Sequence, residues 1–451
     1  MTRQAAFNDM LGHARWARAL DTEGRQRIEA LAPSALAAAS TSLEPELTSQ
    51  RALDLLEHLA RQPALLARIA PHPEVLLQAV TIIGASPPLG PFVVGRPEML
   101  RELLPGREAL VPLPDATTES ARLNKLMDRA GDEGATVIAL RTFKWIRVLQ
   151  ILISDLEGGF TLDQVSHALS DLADLILGTV LSRVAGSLGL GAESPIGVIC
   201  YGRLGAREMS YASDTDIVYV HGQRPGFSAE ALTRVGQTVN HWLTTHTGAG
   251  TLYAADFRPR SPGDNGPLGT SLAAFRTHQT SAAWTWEHQA LTGARWLTSD
   301  PELGRALRDL RVEVLRRPRD PDRLRAEVLS IRDRIFNEAG VTDGVFDVKH
   351  SRGGIIDVEL IARHLILRHA AAHPALCETG DNATTLALSA TLGLIPEALA
   401  HATIEAYRRY RQWIHRERLR GGERVEIAPD LAEGYSRAVM RLWRQALFEE
   451  G

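Results

Sequence analysis

The sequence predicts an α+β protein, mostly helical, with one small mixed sheet set between an N-terminal helical region and a C-terminal helical bundle. Three observations carry that expectation. Leu, Ala and Ile recur three and four residues apart through residues 1 to about 110, as in RALDLLEHLARQPALLARIA, which is the spacing of one helix face. From Ile196 the period shortens to β-branched runs, IGVICYG, TDIVYVHG and GTLYAADFRPR, each bounded by Gly, Ser or Pro. After about residue 275 the helical period returns and holds to the end, broken at RRPRDPD and at the glycine pair of KHSRGGIIDVEL. The expected division is an N-terminal helical region over 1–115, a sheet-bearing domain over 116–275 and a helical bundle over 276–451.

The elements follow in order from local signals. Pro71, Pro73 and the SPPLGP segment break the N-terminal helices. Thr161 and Gln164 stand at capping-box spacing, with Phe160 and Val165 placed as a hydrophobic staple. The helix they start carries an apolar stripe at Leu162, Val165, Leu169, Leu172, Ile176, Val180 and Val184. The sheet runs come next, and they form the only convincing sheet of the chain. No short repeat and no low-complexity tract interrupts the pattern.

Composition narrows the function class. A chain of 451 residues with 44% apolar and 23% charged residues suits a globular protein of two to four domains. A formal net charge of -4 gives no global attraction to nucleic acid or to an anionic membrane, and neither partner is expected. Cys200 and Cys377 are the two cysteines; they lie far apart and fit neither a disulfide framework nor a zinc site. With no signal-peptide pattern and no bilayer-spanning apolar run, the expected location is the cytoplasm.

The chemistry concentrates in YGRLGAREMSYASDTDIVYV, residues 201–220. Side chains alternate across a strand, so Asp214 and Asp216 project from one face while Ser213, Thr215 and Ile217 take the other. Two carboxylates so close repel each other and desolvate badly unless a cation lies between them. Magnesium takes a few hard oxygens and completes its shell with water and phosphate, which suits an Asp-only set. Asp256, in the next strand-like run, is the expected third carboxylate. Gly202 and Gly205 flank Arg203 and Leu204 straight after a strand, where exposed N–H groups can hold a triphosphate. An unselected Asp-x-Asp is more often a turn cap with a solvated charge; the glycine turn, the buried strand and the downstream Asp-x-Arg-x-Arg favour the metal site.

At these residues the sequence resembles the glutamine synthetase adenylyltransferases, members of the nucleotidyltransferase superfamily that includes polymerase-β-like enzymes. The likeness runs in order through YGRLGAREMSYASDTDIVYV, LYAADFRPRSPGDNG, AAWTWEHQALTGAR, FDVKHSRGGIIDVELIARHLILRH and ETGDNATTLALSATLGLI, roughly residues 196 to 395. It implies a nucleotidyltransferase core over 116–275, ATP as substrate, magnesium, and glutamine synthetase as the protein substrate, with the PII signalling protein as a regulator. The usual member carries this layout twice, one half attaching AMP to a tyrosine and the other removing it by phosphorolysis. This chain has room for one copy, and its AWTWEHQAL and GDNATTLAL segments look more like the attaching half. The resemblance makes Asp214, Asp216 and Asp256 metal ligands, with Asp256 also helping to deprotonate the acceptor. It makes Gly202, Arg203, Gly205 and Ser213 triphosphate contacts, and gives Arg258 and Arg260 its charge to neutralise. The alternatives are phosphorolytic deadenylylation by the same cradle, or a module that binds nucleotide or partner without turnover.

Three positions depart from the family pattern. Ala206 replaces a second glycine, Thr215 replaces leucine between the aspartates, and Pro259 stands in an Arg-Pro-Arg-Ser-Pro run that alters the setting of Arg260. Other features read as structural. Trp284 and Trp286 sit two apart, cannot sandwich one ring from a helix and suit core or interdomain packing. His288 is expected to be a hydrogen-bonded structural residue. Lys349 is a candidate phosphate contact, with a hinge docking the bundle on the sheet as the equal alternative and Asp357 pairing to an arginine. The run RRYRQWIHRERLRGGER reads first as a solvated face.

Overall fold

A computed structural model of the chain describes residues 20–104, 116–191, 194–224, 226–246, 250–256 and 269–448. The chain divides into two compact units, one of Met1–Thr118, Thr142–Val165 and Arg418–Gly422, the other of Glu119–Arg141, Ser166–Glu417 and Glu423–Gly451. The expected sheet and, apart from Arg418–Gly422, the expected C-terminal bundle fall within the second unit.

The first unit holds α1 (Thr22–Ser40), α2 (Pro45–Ala60), α3 (Pro63–Ile69), α4 (Pro73–Ala85) and α5 (Gly90–Gly95). Asp21 caps α1, its carboxylate accepting the Gly24 N–H at 2.7 Å. Prolines open α2, α3 and α4 at their first position, where a missing N–H costs nothing and the fixed φ suits a helix. Pro73, read from sequence as a break, is the start of α4. Leu55, Leu56, Leu59, Leu65, Leu66 and Ile69 are fully or nearly fully buried in these short helices.

Next come α6 (Ala116–Asp128), α7 (Glu133–Leu156) and α8 (Leu162–Ser187). The capping box expected at the start of α8 is present: the Thr161 N–H donates to Gln164 Oε1 at 2.8 Å, and the Gln164 N–H to Thr161 Oγ1 at 3.3 Å. Within the second unit a mixed sheet follows, made of β1 (Ile196–Cys200), β2 (Thr215–His221), β3 (Ala255–Asp256), β4 (Gly269–Ser271) and β5 (Arg295–Thr298). Its order is β3-β2-β1-β5, with β4 also paired to β2. Strand β1 runs antiparallel to β2 and β5, while β3 and β4 run parallel to β2. All five residues of β1 are buried, because it lies between two strands and under helices. The intervening helices are α9 (Gly202–Gly205), α10 (Ala229–Thr244), α11 (Leu272–Ser281) and α12 (Thr285–Thr292). A core of Ile199, Tyr201, Val220, Phe275, Leu291 and Leu307 joins the sheet to the helices beside it.

The bundle comprises α13 (Pro301–Leu315), α14 (Pro321–Ala339), α15 (Ile355–His369), α16 (Asn382–Thr391), α17 (Glu397–Arg420) and α18 (Pro429–Phe448), with β6 (Phe346–Asp347) and β7 (Glu426–Ile427) forming a small ribbon. Among the described residues no helix is long and apolar enough to cross a membrane. Expectation and structure differ here in three ways. Strand structure continues past residue 275 in β5, β6 and β7, runs of two to four residues that tertiary pairing holds and that are too short to show a period. Trp284 is 64% exposed at the cap of α12, so it is not a core ring. The late basic run is split, with Arg411 and His415 buried and Arg408, Arg416 and Arg420 exposed. His288 behaves as expected: it is buried, with Nε2 2.9 Å from the Gln279 carbonyl, and burial lowers its pKa.

The KHSRGG segment is held inside the bundle. Arg332 pairs with Asp357, both essentially without solvent exposure, and its Nη2 donates to the His350 and Ser351 carbonyls at 3.0 Å each. Asp357 also accepts the Gly353 N–H at 2.6 Å, so one carboxylate ties α15 to the turn that precedes it. Removing one partner of such a pair strands the other charge in a low-dielectric interior. Asp357→Ala is therefore expected to destabilise the protein by about 3–5 kcal/mol, and the double change Arg332→Met, Asp357→Leu to recover most of that loss. Urea unfolding checks both; an unchanged midpoint in the single variant would contradict this account.

Candidate active site

Strand β1 ends at Cys200 and the chain turns at once into α9. The turn is shaped by what lies across from it, since the Tyr201 N–H donates to the Asp216 carbonyl at 2.8 Å. Gly202 then takes a left-handed φ of 56°. A β-carbon built on Gly202 would stand 2.2 Å from Asp216 Oδ2, so both conformation and space demand glycine. Gly205 is confined in the same way: its β-carbon would meet the Gly293 carbonyl oxygen at 2.5 Å and the Cys200 carbonyl oxygen at 2.7 Å. Bare backbone from three segments thus closes up around the end of the sheet.

Two arginines fix those segments. Arg295 of β5 makes a bidentate pair with Asp174, at 2.5 and 2.7 Å, and also donates to the Leu204 carbonyl from Nε at 3.0 Å and from Nη2 at 2.8 Å. It thereby holds the last turn of α9. Arg311 of α13 donates to the carbonyls of Leu291 at 3.1 Å, Thr379 at 3.2 Å, Thr292 and Cys377. That single side chain ties the end of α12 to the 377–379 segment ahead of α16.

Between these pieces lies a cavity of ≈ 180 Å³. Tyr201, Gly202 and Asp216 line it from the sheet, Thr292 and Gly293 from the end of α12, and Arg363 of α15 with Thr379–Asn382 from the bundle. Arg363 also pairs with Glu359 one turn back at 2.9 Å. Asn382 donates its amide N–H to Tyr407 Oη at 2.8 Å, and Tyr407 donates its hydroxyl to Glu208. Glu208 faces Arg411 at 3.8 Å, and Arg411 reaches Ser166 Oγ at 2.8 Å. Burial pushes the Glu208 carboxyl up, opposed by Arg411 and the Tyr407 hydrogen bond. Burial and the Glu208 charge hold the Tyr407 phenol well above its ordinary value.

The sequence matches the family described as glutamate-ammonia ligase adenylyltransferase over residues 76–309, just over half of the chain. The chain belongs to the glutamate-ammonia ligase adenylyltransferase family. It is 37% identical over 437 residues to a protein of Bordetella bronchiseptica named bifunctional glutamine synthetase adenylyltransferase/adenylyl-removing enzyme, a match covering 95% of this chain and 46% of that protein. A Neisseria meningitidis serogroup B protein of the same name is 35% identical over 448 residues, 99% of this chain and 50% of the relative. The chain spans about half the length of the curated relatives it matches.

For a member of the glutamate-ammonia ligase adenylyltransferase family, the candidate residues fall into three groups. Asp216 and Gly202 line the cavity; Asp214 stands two residues earlier, exposed, ahead of β2. Burial alternates as expected, with Thr215, Ile217 and Tyr219 buried and Asp216 and Val218 less so. The parallel pairing of β2 and β3 sets Asp256 in register with Asp216, while its side chain lies outside the described residues. Arg258 and Arg260 lie outside them entirely. Arg203, Gly205 and Ser213 support the turn instead of lining the cavity: the Arg203 carbonyl accepts the Glu208 N–H at 2.8 Å, and Ser213 Oγ accepts the Ser210 N–H at 2.8 Å. Lys349 is exposed at a turn of the bundle, its N–H on Asp347 at 2.8 Å, and is not part of the cavity wall.

The donors available to a divalent cation are carboxylate oxygens, the hard set that magnesium takes, so Asp214, Asp216 and the register position of Asp256 fit that ion. Among the described side chains no three His, Cys, Asp or Glu gather into a metal cluster, a set that leaves out the Asp256 carboxylate. Sequence reasoning missed Arg363, Asn382, Tyr407 and Glu208 as site residues. Glu208 and Asn382 stand inside quoted motifs, GARE and GDNATTLAL, but nothing local shows that they meet. Gly202→Ala is expected to lower stability by about 1–3 kcal/mol, because alanine is strained at this φ and its methyl displaces Asp216. Urea unfolding measures the shift; wild-type stability in the variant would refute the close approach.

Proposed function

We propose that the chain transfers AMP from magnesium-bound ATP to a tyrosine hydroxyl of glutamine synthetase, and so controls nitrogen assimilation in the cytoplasm. The observation that carries this reading is Asp216 at the wall of a cavity closed by a glycine turn on one side and a cationic Arg363 on another. In this reading residues 116–275 bear the carboxylates and residues 276–451 supply the facing wall. The names of the relatives, which join adenylyl transfer to glutamine synthetase, support the choice of acceptor.

Asp214, Asp216 and Asp256 would hold magnesium, which supplies positive charge against the phosphates and orients them. The chain's own residues do the rest. Gly202 lets the backbone approach the phosphates where a side chain would block them, and Arg363 offsets charge on the leaving pyrophosphate. The tyrosyl oxygen bonds to the α-phosphorus as the bond to the α,β-bridging oxygen breaks. Pyrophosphate leaves, and the phenol proton passes to Asp256.

Incubating the protein with ATP, magnesium and unmodified glutamine synthetase should add one AMP mass to a tyrosine peptide of the acceptor. Asp214→Asn and Asp216→Asn are each expected to reduce that rate by at least about 10³-fold, a loss of the size expected for a group that organises the transferring phosphate. Adenylylated glutamine synthetase with inorganic phosphate is the counter-assay: ADP release without forward transfer would overturn the assigned direction, and full activity in both Asn variants would overturn the carboxylate site.

A further inference from the structure

We infer that Asn382 reads the adenine ring of the nucleotide, with Tyr407 and Glu208 as positioning residues that fix the orientation of its side-chain amide. This deepens the proposed function and rests on it. The Tyr407 hydroxyl has one proton, and it goes to the Glu208 carboxylate. With Glu208 ionised opposite Arg411 at 3.8 Å, the Tyr407 oxygen accepts, and the group facing it at 2.8 Å is the NH₂ of Asn382. The hydrogen-bonded chain is shielded from solvent, since Tyr407 is 1% exposed and Glu208 8%.

One amide proton is spent on Tyr407. With the proton anti to Oδ1 spent in this way, the proton syn to it and Oδ1 itself would present a donor next to an acceptor from a residue of the cavity wall. Among the parts of a nucleotide, the adenine edge offers the complement, an N6 amine beside an N7 acceptor, and an amide side chain meets it with two hydrogen bonds. The surroundings suit a ring: Ala290, Ala362 and Ile366 give apolar surface in the same cavity, while the charged groups Asp216 and Arg363 suit the phosphate end. Asn382 stands at the first turn of α16, held by the Asp381 cap, whose carboxylate accepts the Thr384 N–H at 2.8 Å. Glu208 lies between the glycine turn and Asp214, so the same hydrogen-bonded chain anchors the base-reading amide to the loop that bears the carboxylates.

The test compares ATP with ITP, whose 6-oxo group accepts where adenine donates. The wild-type protein is expected to favour ATP by about 10- to 100-fold in kcat/KM for AMP or IMP transfer, the discrimination of one bidentate pair. Asn382→Ala should bring that ratio close to one by lowering ATP use, with ITP use nearly unchanged; Tyr407→Phe should reduce the ratio part of the way. A residue that only supports the fold would lower both substrates together. Equal use of ATP and ITP by the wild type overturns the inference without any variant, as does an equal loss with both nucleotides in Asn382→Ala. A loss for ATP and ITP that 3′-deoxy-ATP escapes would assign Asn382 to the sugar and also overturn it. Asp216→Asn separates the two levels: if that variant stays active the proposed site itself fails, whereas an inactive Asp216→Asn beside an unchanged ATP/ITP ratio in Asn382→Ala defeats this inference alone.

Discussion

The site turns on one steric constraint: the backbone at Gly202 and the carboxylate of Asp216 share a space with no room for a β-carbon between them. That proximity continues the antiparallel ladder of β1 and β2, because the Tyr201 N–H extends it by pairing with the Asp216 carbonyl. The chain must then leave the sheet without covering the carboxylate. A left-handed residue does this in one step, and glycine alone does it without a Cβ penalty. The carboxylate is consequently partly exposed at the cavity wall, with the Gly202 main chain packed against it.

Holding such a turn still is a separate problem, since α9 is one turn long and contributes little rigidity of its own. The solution is guanidinium groups aimed at carbonyls. Arg295 and Arg311 between them donate to the carbonyl oxygens of Leu204, Leu291, Thr292, Cys377 and Thr379, which sit at helix ends and in loops. Arginine suits this work because its donors diverge in a planar fork, so one side chain can bind several strands of backbone. Asp174 holds Arg295 in turn. Three loops from distant parts of the sequence are thereby set by two side chains, and the cavity inherits their positions.

This arrangement explains which parts were legible in the sequence. The alternation around Asp214 and Asp216, the buried β1, the Thr161–Gln164 capping box and the glycine turn are local, and each follows from spacing within a few residues. The third carboxylate was read from the next strand-like run, and the backbone register of Asp256 beside Asp216 is in keeping with it. The far wall was not legible. Asn382 meets Tyr407, and Tyr407 meets Glu208 across 199 residues of chain, so no window of the sequence contains the contact. For the same reason Arg411 read as part of a solvated basic face, although its guanidinium is buried against Glu208 and Ser166. β5 escaped notice because RWLT has no period to detect and owes its strand form to pairing with β1. Trp284 was misjudged from its residue type; apolar rings are usually buried, but the cap position of α12 points this one to solvent.

The tyrosines of the chain indicate what the proposed acceptor must meet. Burial pushes the phenols of Tyr201, in the cavity wall, and Tyr407, behind it, above their ordinary values, because an apolar interior penalises the phenolate. A low-dielectric pocket therefore works against a tyrosyl nucleophile, and closing the cavity completely around an acceptor would slow the step it is meant to help. Positive charge and a base are needed in its place, and these belong at an open edge. The exposure at the carboxylates runs in the required direction: Asp216 is half-buried against Gly202, whereas Asp214 is open to solvent. In the proposed reaction the nucleotide takes the enclosed end, where few water molecules compete with the tyrosine for the α-phosphorus, and the protein acceptor enters from the Asp214 side, where its phenol is not desolvated before the bond begins to form.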